Sequence, residues 1–237
     1  MSRADLRRAD LSGADLSWTD LHKANLSGAN LTGADLREAN LSQTNLNQAK
    51  PVLATLSGAD LTGVILHRAD LSGANLSRSN LSGVELSQID LSGANLKETN
   101  LRGANLDGAN FSRANLSGAD LSGANLSGVN FSQVDLRWAS LNRTDLREAN
   151  LSKANLSRTD LRKVKLSKVN LSQMDLRGAD LRETNLRGAD LQGADLRGTY
   201  LNGANLEEAI LKGARYNHNT IWPANFDPTQ AGAIREG

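Results

Sequence analysis

Asp5, Asp10, Asp15 and Asp20 stand five residues apart, so a fold that bends once every five residues sets four carboxylates in register. Such a row is raw material for acid–base catalysis or a hard-cation site. The same slot, however, holds Asn25, Asn30, Asn40 and Asn45, and 35 of its 45 occurrences are Asp or Asn. Exchange of an acid for its amide means that the shared carbonyl-type acceptor matters more than the charge. Hydrogen bonding to backbone N–H groups at the bends explains that pattern. The recurrent Ser has no paired base, and His22, His67 and His218 lie too far apart in register to share a metal or relay a proton. With no Cys, neither a disulfide nor a thiol nucleophile is available. The Gly residues follow turn spacing and no phosphate-binding fingerprint. The residues therefore predict no catalytic group, no cofactor and no metal, and a protein that is not an enzyme.

The slots belong to a five-residue unit. Ala114 to Gly128 reads Ala-Asn-Leu-Ser-Gly, Ala-Asp-Leu-Ser-Gly, Ala-Asn-Leu-Ser-Gly, and the centre residue recurs every five positions from Leu6 to Phe226, giving 45 units between Ala4 and Pro228. Five residues turn an α-helix by about 500°, so the Leu side chains would spiral around it. A continuous strand fails too, because an odd repeat sends successive Leu side chains to opposite faces. One bend per unit is required. Ala and Leu, two apart on a short extended segment, then point inward and the Asp or Asn between them points outward. The Ser-Gly pair turns the chain, Gly accepting the positive φ of a type II turn. Stacked coils pair backbone with backbone at about 4.8 Å and set Leu on Leu, which is a β-solenoid. Phe111 and Phe131 are twenty apart but Val84 and Thr99 fifteen, so a square and a triangular coil both stay open on the residues alone.

These units, with Leu at 39 of the 42 centre positions between Leu6 and Leu211, make the chain resemble a pentapeptide repeat protein. The resemblance runs from Ala4 to Phe226. It implies an all-β fold, a right-handed quadrilateral parallel β-helix of about eleven coils, about 50 Å long at ~4.8 Å per coil. The ending Thr220-Ile221-Trp222-Pro223, Phe226-Asp227-Pro228 and Ala231-Gly232-Ala233-Ile234 is similar to the tails of cyanobacterial members. Length and character are similar to a member that acts in heterocyst differentiation.

The unbroken period predicts a single domain over 1–237, with repeats over 4–228 and a C-terminal cap and tail over 214–237. Pro51 in a centre position, flanked by outward Val52 and Leu53, predicts a local bulge or small loop, because Pro has no N–H for the neighbouring coil. Tyr216, Ile221 and Phe226 in centre positions, with Trp222, predict a plug over the apolar cross-section. No cap is visible at the other end. No apolar leader opens the sequence and no run of eighteen apolar residues occurs, so a cytoplasmic location is expected.

Partner contacts are sought among outward residues that the fold does not need. Trp18 and Trp138 occupy the Gly-favoured slot; in a twenty-residue coil they share one face, and Arg158 stacks next to Trp138. From Arg137 to Lys168 nine basic residues meet three acidic ones, a net +6 in a chain of net +1. The expected contact surface is Trp138 with Arg137, Arg143, Arg158 and Lys163 around it, since Trp and Arg anchor interfaces most often. Ile65, Tyr200 and Ile210 are lesser candidates. The equally plain alternative is a set of solvated residues on a rod that must be polar outside.

The functional expectation is a protein-binding module with no small-molecule substrate and no membrane, and through the resemblance a regulator of cyanobacterial heterocyst differentiation. Oligomeric state is not fixed. Two alternatives stay in view. Some family members inhibit DNA gyrase as rod-shaped DNA mimics, which needs a strongly acidic surface that a pI near 8.0 does not supply. Nucleic-acid binding by the 137–168 band lacks interleaved aromatics, having only Trp138.

Overall fold

The computed structural model describes residues 1–236; Gly237, the last residue of the expected domain, lies outside them. From Leu6 to Leu211 the centre carbonyl of each unit accepts the N–H three residues on, as from Ala29 to Leu26 at 3.0 Å. The residue two after the centre takes a positive φ, from Gly13 at 65° to Trp138 at 64°, and the residue between them does not. One positive φ at the third residue of such a turn defines type II, as the Ser-Gly pairs predict. Gly adopts it freely. Arg, Lys, Glu, Gln and Trp adopt it at a cost on the order of 1–2 kcal/mol.

Bridges join residues twenty apart: Asp5 to Asn25, Asn25 to Asn45, and onward to Asn185 with Asn205. Four units thus make one coil, and the square arrangement holds. All bridges are parallel. Each coil hangs on the next by pairs such as Leu26 N–H to Asn45 C=O at 2.8 Å and Asn45 N–H to Ala24 C=O at 2.9 Å. Among the described residues there is no α-helix.

Inside, the Leu columns are sealed: Leu96, Leu116 and Leu136 have no exposed surface, and Phe111 lies on Phe131 with ring centres 5.3 Å apart. Burying each Leu stabilises the rod by roughly 1.5–3 kcal/mol. Where Thr replaces Ala, its hydroxyl finds a backbone carbonyl: Thr44 donates to Leu21 C=O and Thr99 to Leu76 C=O of the adjoining coil, both at 2.7 Å, and Thr144 to Leu141 C=O of its own coil at 2.7 Å.

The structure corrects two expectations. Pro51 makes neither bulge nor loop. It sits buried in the Leu column, its carbonyl accepts from Ala54 at 3.1 Å, and Leu53 turns with φ 56° like any other corner. What is lost is the Lys50–Asp70 bridge, because Pro51 has no N–H to give, while Asp70 N–H still reaches Ala49 C=O at 3.3 Å. The ladder is also interrupted between Ile65 and Glu85 and between Asn150 and Asn170.

The second correction concerns the period, which does not hold to Phe226. Tyr200 bridges Ile221, twenty-one residues on, because Asn217–Asn219 holds one extra residue. Thr220 therefore takes the inward slot and donates to Leu196 C=O at 2.8 Å, and Ile221 turns outward, 46% exposed. The plug itself forms: Trp222 stacks on Phe226 at 5.3 Å and meets the edge of Tyr216 at 5.4 Å. Strand β1 (Arg215–Tyr216) then pairs in parallel with β2 (Ile234–Arg235), which folds the tail back onto the last coil.

A mid-rod Leu116→Ala should cost about 2–5 kcal/mol, and Leu6→Ala in the half-exposed first coil clearly less. Thermal unfolding followed by far-ultraviolet circular dichroism measures both; equal losses would contradict a continuous Leu column.

Candidate protein-binding surface

The outward slots divide into those that serve the fold and those that do not. Asp and Asn serve it, since their Oδ1 accepts the backbone N–H two residues on, as from Ser27 to Asn25 and from Ser117 to Asn115. Stacked amides also bond coil to coil: Asn95 Nδ2 donates to Asn75 Oδ1 at 3.1 Å, and Asn130 does so to Asn110 at 3.0 Å. Wherever Asp-Leu-Arg occurs, the guanidinium folds back on the carboxylate of its own unit. Arg137 gives Nε to Asp135 at 2.9 Å and Nη2 at 2.6 Å, and Arg147 holds Asp145 likewise.

These pairs change how the 137–168 band reads. Arg137, Arg147 and Arg162 are matched by Asp135, Asp145 and Asp160; Lys165 also reaches Asp145, and Lys163 reaches Glu183 at 3.3 Å. Asp135 lies two residues before the band and Glu183 one coil beyond Lys163, so a count along the sequence misses both. A stretch of 32 residues also goes more than once around a twenty-residue coil, which spreads its charges over all four sides. Arg143, Lys153, Arg158 and Lys168 alone in the band have no acidic partner among the described residues.

Trp138 projects from its corner with 62% of its surface exposed. Arg158, one coil on, covers one face of the ring, its guanidinium carbon 4.6 Å from the ring centre. Arg137 stands beside it on the same corner. Arg143 and Lys163 occupy the next corner of the square, one above the other, and Arg143 lines a separate groove with Asn142 and Arg162. Of the five expected contact residues the structure thus gathers Trp138, Arg137 and Arg158. Trp18 shares their column six coils away, 77% exposed, with Glu38 as its next neighbour in the column. Ile65, Tyr200 and Ile210 are outward and about half exposed; Tyr200 stands in the column of Ser140, on a side that borders the Trp138 corner, and the other two on the remaining sides.

A groove of about 520 Å³ runs along the corner from Trp138 toward the C-terminal end, and adds Asn155, Ser157, Arg177, Gly178 and Arg197 to the surface. Nothing in their own units singles these residues out. Stepping by twenty from Arg137 finds Ser157, Arg177 and Arg197, but only once the coil length is known. Gly178 shapes the trough, because a Cβ there would stand 3.2 Å from Arg158 Cγ. In electrostatic terms Asp135 and Asp175 are held below the usual carboxylate range by the guanidinium of Arg137 and of Arg177, so both stay ionised and fix their partners. The three His side chains are not gathered, and His22 shares a 2.8 Å hydrogen bond with Ser42. Among the described residues no three His, Asp or Glu side chains are grouped to hold a metal ion, and no helix is long and apolar enough to cross a membrane.

A four-sided parallel coil of Ala-(Asp/Asn)-Leu-Ser-Gly units defines the class, and the chain belongs to the pentapeptide repeat family, whose Pentapeptide repeats description it matches in eight copies between residues 1 and 215. It is similar to HetL, a pentapeptide repeat protein involved in heterocyst differentiation regulation from the cyanobacterium Nostoc sp. strain PCC 7120, at 35% identity over 87% of this chain and 89% of that one, with a TM-score of 0.38. A second pentapeptide repeat protein of Nostoc PCC 7120 is 34% identical over 52% of this chain and 84% of its own, TM-score 0.36. QnrB1, a plasmid-mediated fluoroquinolone resistance protein, is 17% identical over 87% of this chain and 89% of its own, TM-score 0.37. Among curated proteins none matches. Membership rests on the repeats and on the identity with HetL.

The Arg147 guanidinium, helped by the backbone N–H of Arg147 and by Lys165, holds the Asp145 carboxyl down to about 2 against the opposing effect of burial. A carboxyl depressed on folding stabilises the fold above its unfolded value of about 3.9 and loses that contribution as pH falls through the folded value. Arg147→Gln should therefore raise the Asp145 titration midpoint, read by carboxyl NMR, and move acid unfolding to higher pH. An unmoved midpoint would remove Arg147 as the cause.

Proposed function

We propose that this protein is a non-enzymatic regulator that acts by binding another protein through the Trp138 corner, and that it serves cyanobacterial heterocyst differentiation, the process in which the similar protein HetL is involved. The β-helix is on this reading right-handed with about eleven coils, a rigid rod whose sides offer an extended docking surface. One observation carries the proposal. An exposed Trp stands at φ 64°, where Gly would be free of strain, and Arg158 fixes its ring. The fold gains from Trp at that point only its contact with Arg158, whereas an interface gains a large, rigid, amphipathic anchor. A DNA mimic would need a continuous anionic face, and here the Asp residues of the Asp-Leu-Arg units are each covered by Arg.

The test uses Trp138→Gly, which removes the ring and relieves the corner, so stability should be unchanged or higher. A central Trp at a real interface contributes about 2 kcal/mol or more, roughly thirty-fold in affinity. Expressed at equal abundance in a heterocyst-forming Nostoc, the wild-type chain should alter heterocyst frequency and Trp138→Gly should not. No effect of the wild type would end the differentiation reading. Equal effects of both would move the interface away from Trp138.

A further inference from the structure

Along the corner that carries Trp138, successive coils read Asp135-Leu136-Arg137, Asn155-Leu156-Ser157, Asp175-Leu176-Arg177 and Asp195-Leu196-Arg197. The second coil lacks both the carboxylate and the guanidinium of its neighbours. The Ser157 hydroxyl donates to Asn155 Oδ1 at 2.9 Å, within its own unit, and a one-side-chain notch is left between Arg137 and Arg177. Four donors border it. Arg137 and Arg177 each spend Nε and Nη2 on their Asp, and Nη1 has no acceptor among the described residues. Asn155 Nδ2 makes no hydrogen bond among the described residues, and Arg158 has no acidic partner. Gly178 and Gly198 keep the trough beyond the notch open along the rod.

We propose that this notch receives a carboxylate from an extended acidic segment of the protein partner, with the neighbouring backbone of that segment lying along the trough and against the exposed part of Trp138. This rests on the reading of the Trp138 corner as the partner-binding surface. The chemistry commits to a carboxylate because the notch is the one level between 135 and 195 of the column without an acid, and the single carboxylate in its lining, Asp175, is already bound by Arg177, which leaves Arg158 without an acidic partner. Guanidinium Nη1 groups held in place by their own Asp lose little freedom when they bind, which favours planar carboxylate recognition. The length fits an extended chain. From the level of Arg137 to that of Arg197 is three coil spacings, about 14 Å, the span of about four residues of strand.

Ser157→Arg separates shape from charge. The slot accepts Arg at 137, 177 and 197, so the fold is kept, and the substitution adds positive charge while filling the notch. A fluorescein-labelled oligo-glutamate peptide with blocked ends is the probe, read by anisotropy at physiological salt, with oligo-lysine and a short DNA duplex as comparisons. The expected result is binding of oligo-glutamate by the wild-type protein and at least tenfold weaker binding by Ser157→Arg. Equal or tighter binding by Ser157→Arg would mean that charge alone attracts the peptide and would overturn the notch. So would a wild-type protein that binds no oligo-glutamate or prefers the duplex. If Trp138→Gly abolishes the effect on heterocysts while any of these overturning results holds, the acidic segment falls and the binding surface stands. If Trp138→Gly keeps its full effect, the surface falls with it.

Discussion

Everything in this rod depends on one backbone pairing, repeated at a step of twenty residues. An N–H on either side of the outward residue finds a carbonyl on the adjoining coil, and a five-residue unit reaches that partner only if every corner bends alike. The positive φ at each corner is the condition for this. Non-glycine residues stand in that conformation at 24 corners, so the ladder and the Leu columns outweigh a recurrent local strain. Cooperation between neighbouring coils takes the place of the single compact core of a globular domain.

The same constraint sorts the polar residues. Asp and Asn exchange in their slot because both offer Oδ1 to the N–H two residues on, and in the Asp-Leu-Arg units the charge of Asp is then matched by the Arg two residues after it. Charge along the chain therefore says little about charge on the surface. Arg137, two residues after Asp135, is tied to it, while Arg158, three residues after Asn155, lies on Trp138. The proposed binding corner has an Asn155-Leu156-Ser157 unit between Asp-Leu-Arg units, a difference that shows only when coils are compared one above another.

Much of the fold could be read from the residues. Period five excluded helix and strand, the two-residue offset of Ala and Leu set inside against outside, and Gly after Ser marked the turn. These are local facts of dihedral angle and side-chain direction, carried by every unit. Trp138 and Arg158 could be paired as soon as a twenty-residue coil was supposed, because identical units leave an exception visible. The aromatic plug was legible as a cluster, though the slots of Thr220 and Ile221 were not. One extra residue in Asn217–Asn219 changes the bridge step from twenty to twenty-one without disturbing the spacing of apolar residues.

Tertiary structure alone decided the rest. Whether four units or three close a coil depends on how the corners add up around the axis, and no single unit contains that sum. Pro51 looked disruptive because a missing N–H is a local fact, yet the coil on its other side, through Lys50 and Ala29, holds it in register. The placing of Arg143 and Lys163 on a different corner from Trp138, the pairing of Lys163 with Glu183, and the notch at Ser157 all join residues one or more coils apart. Sequence fixes what each unit can do; stacking decides which units meet.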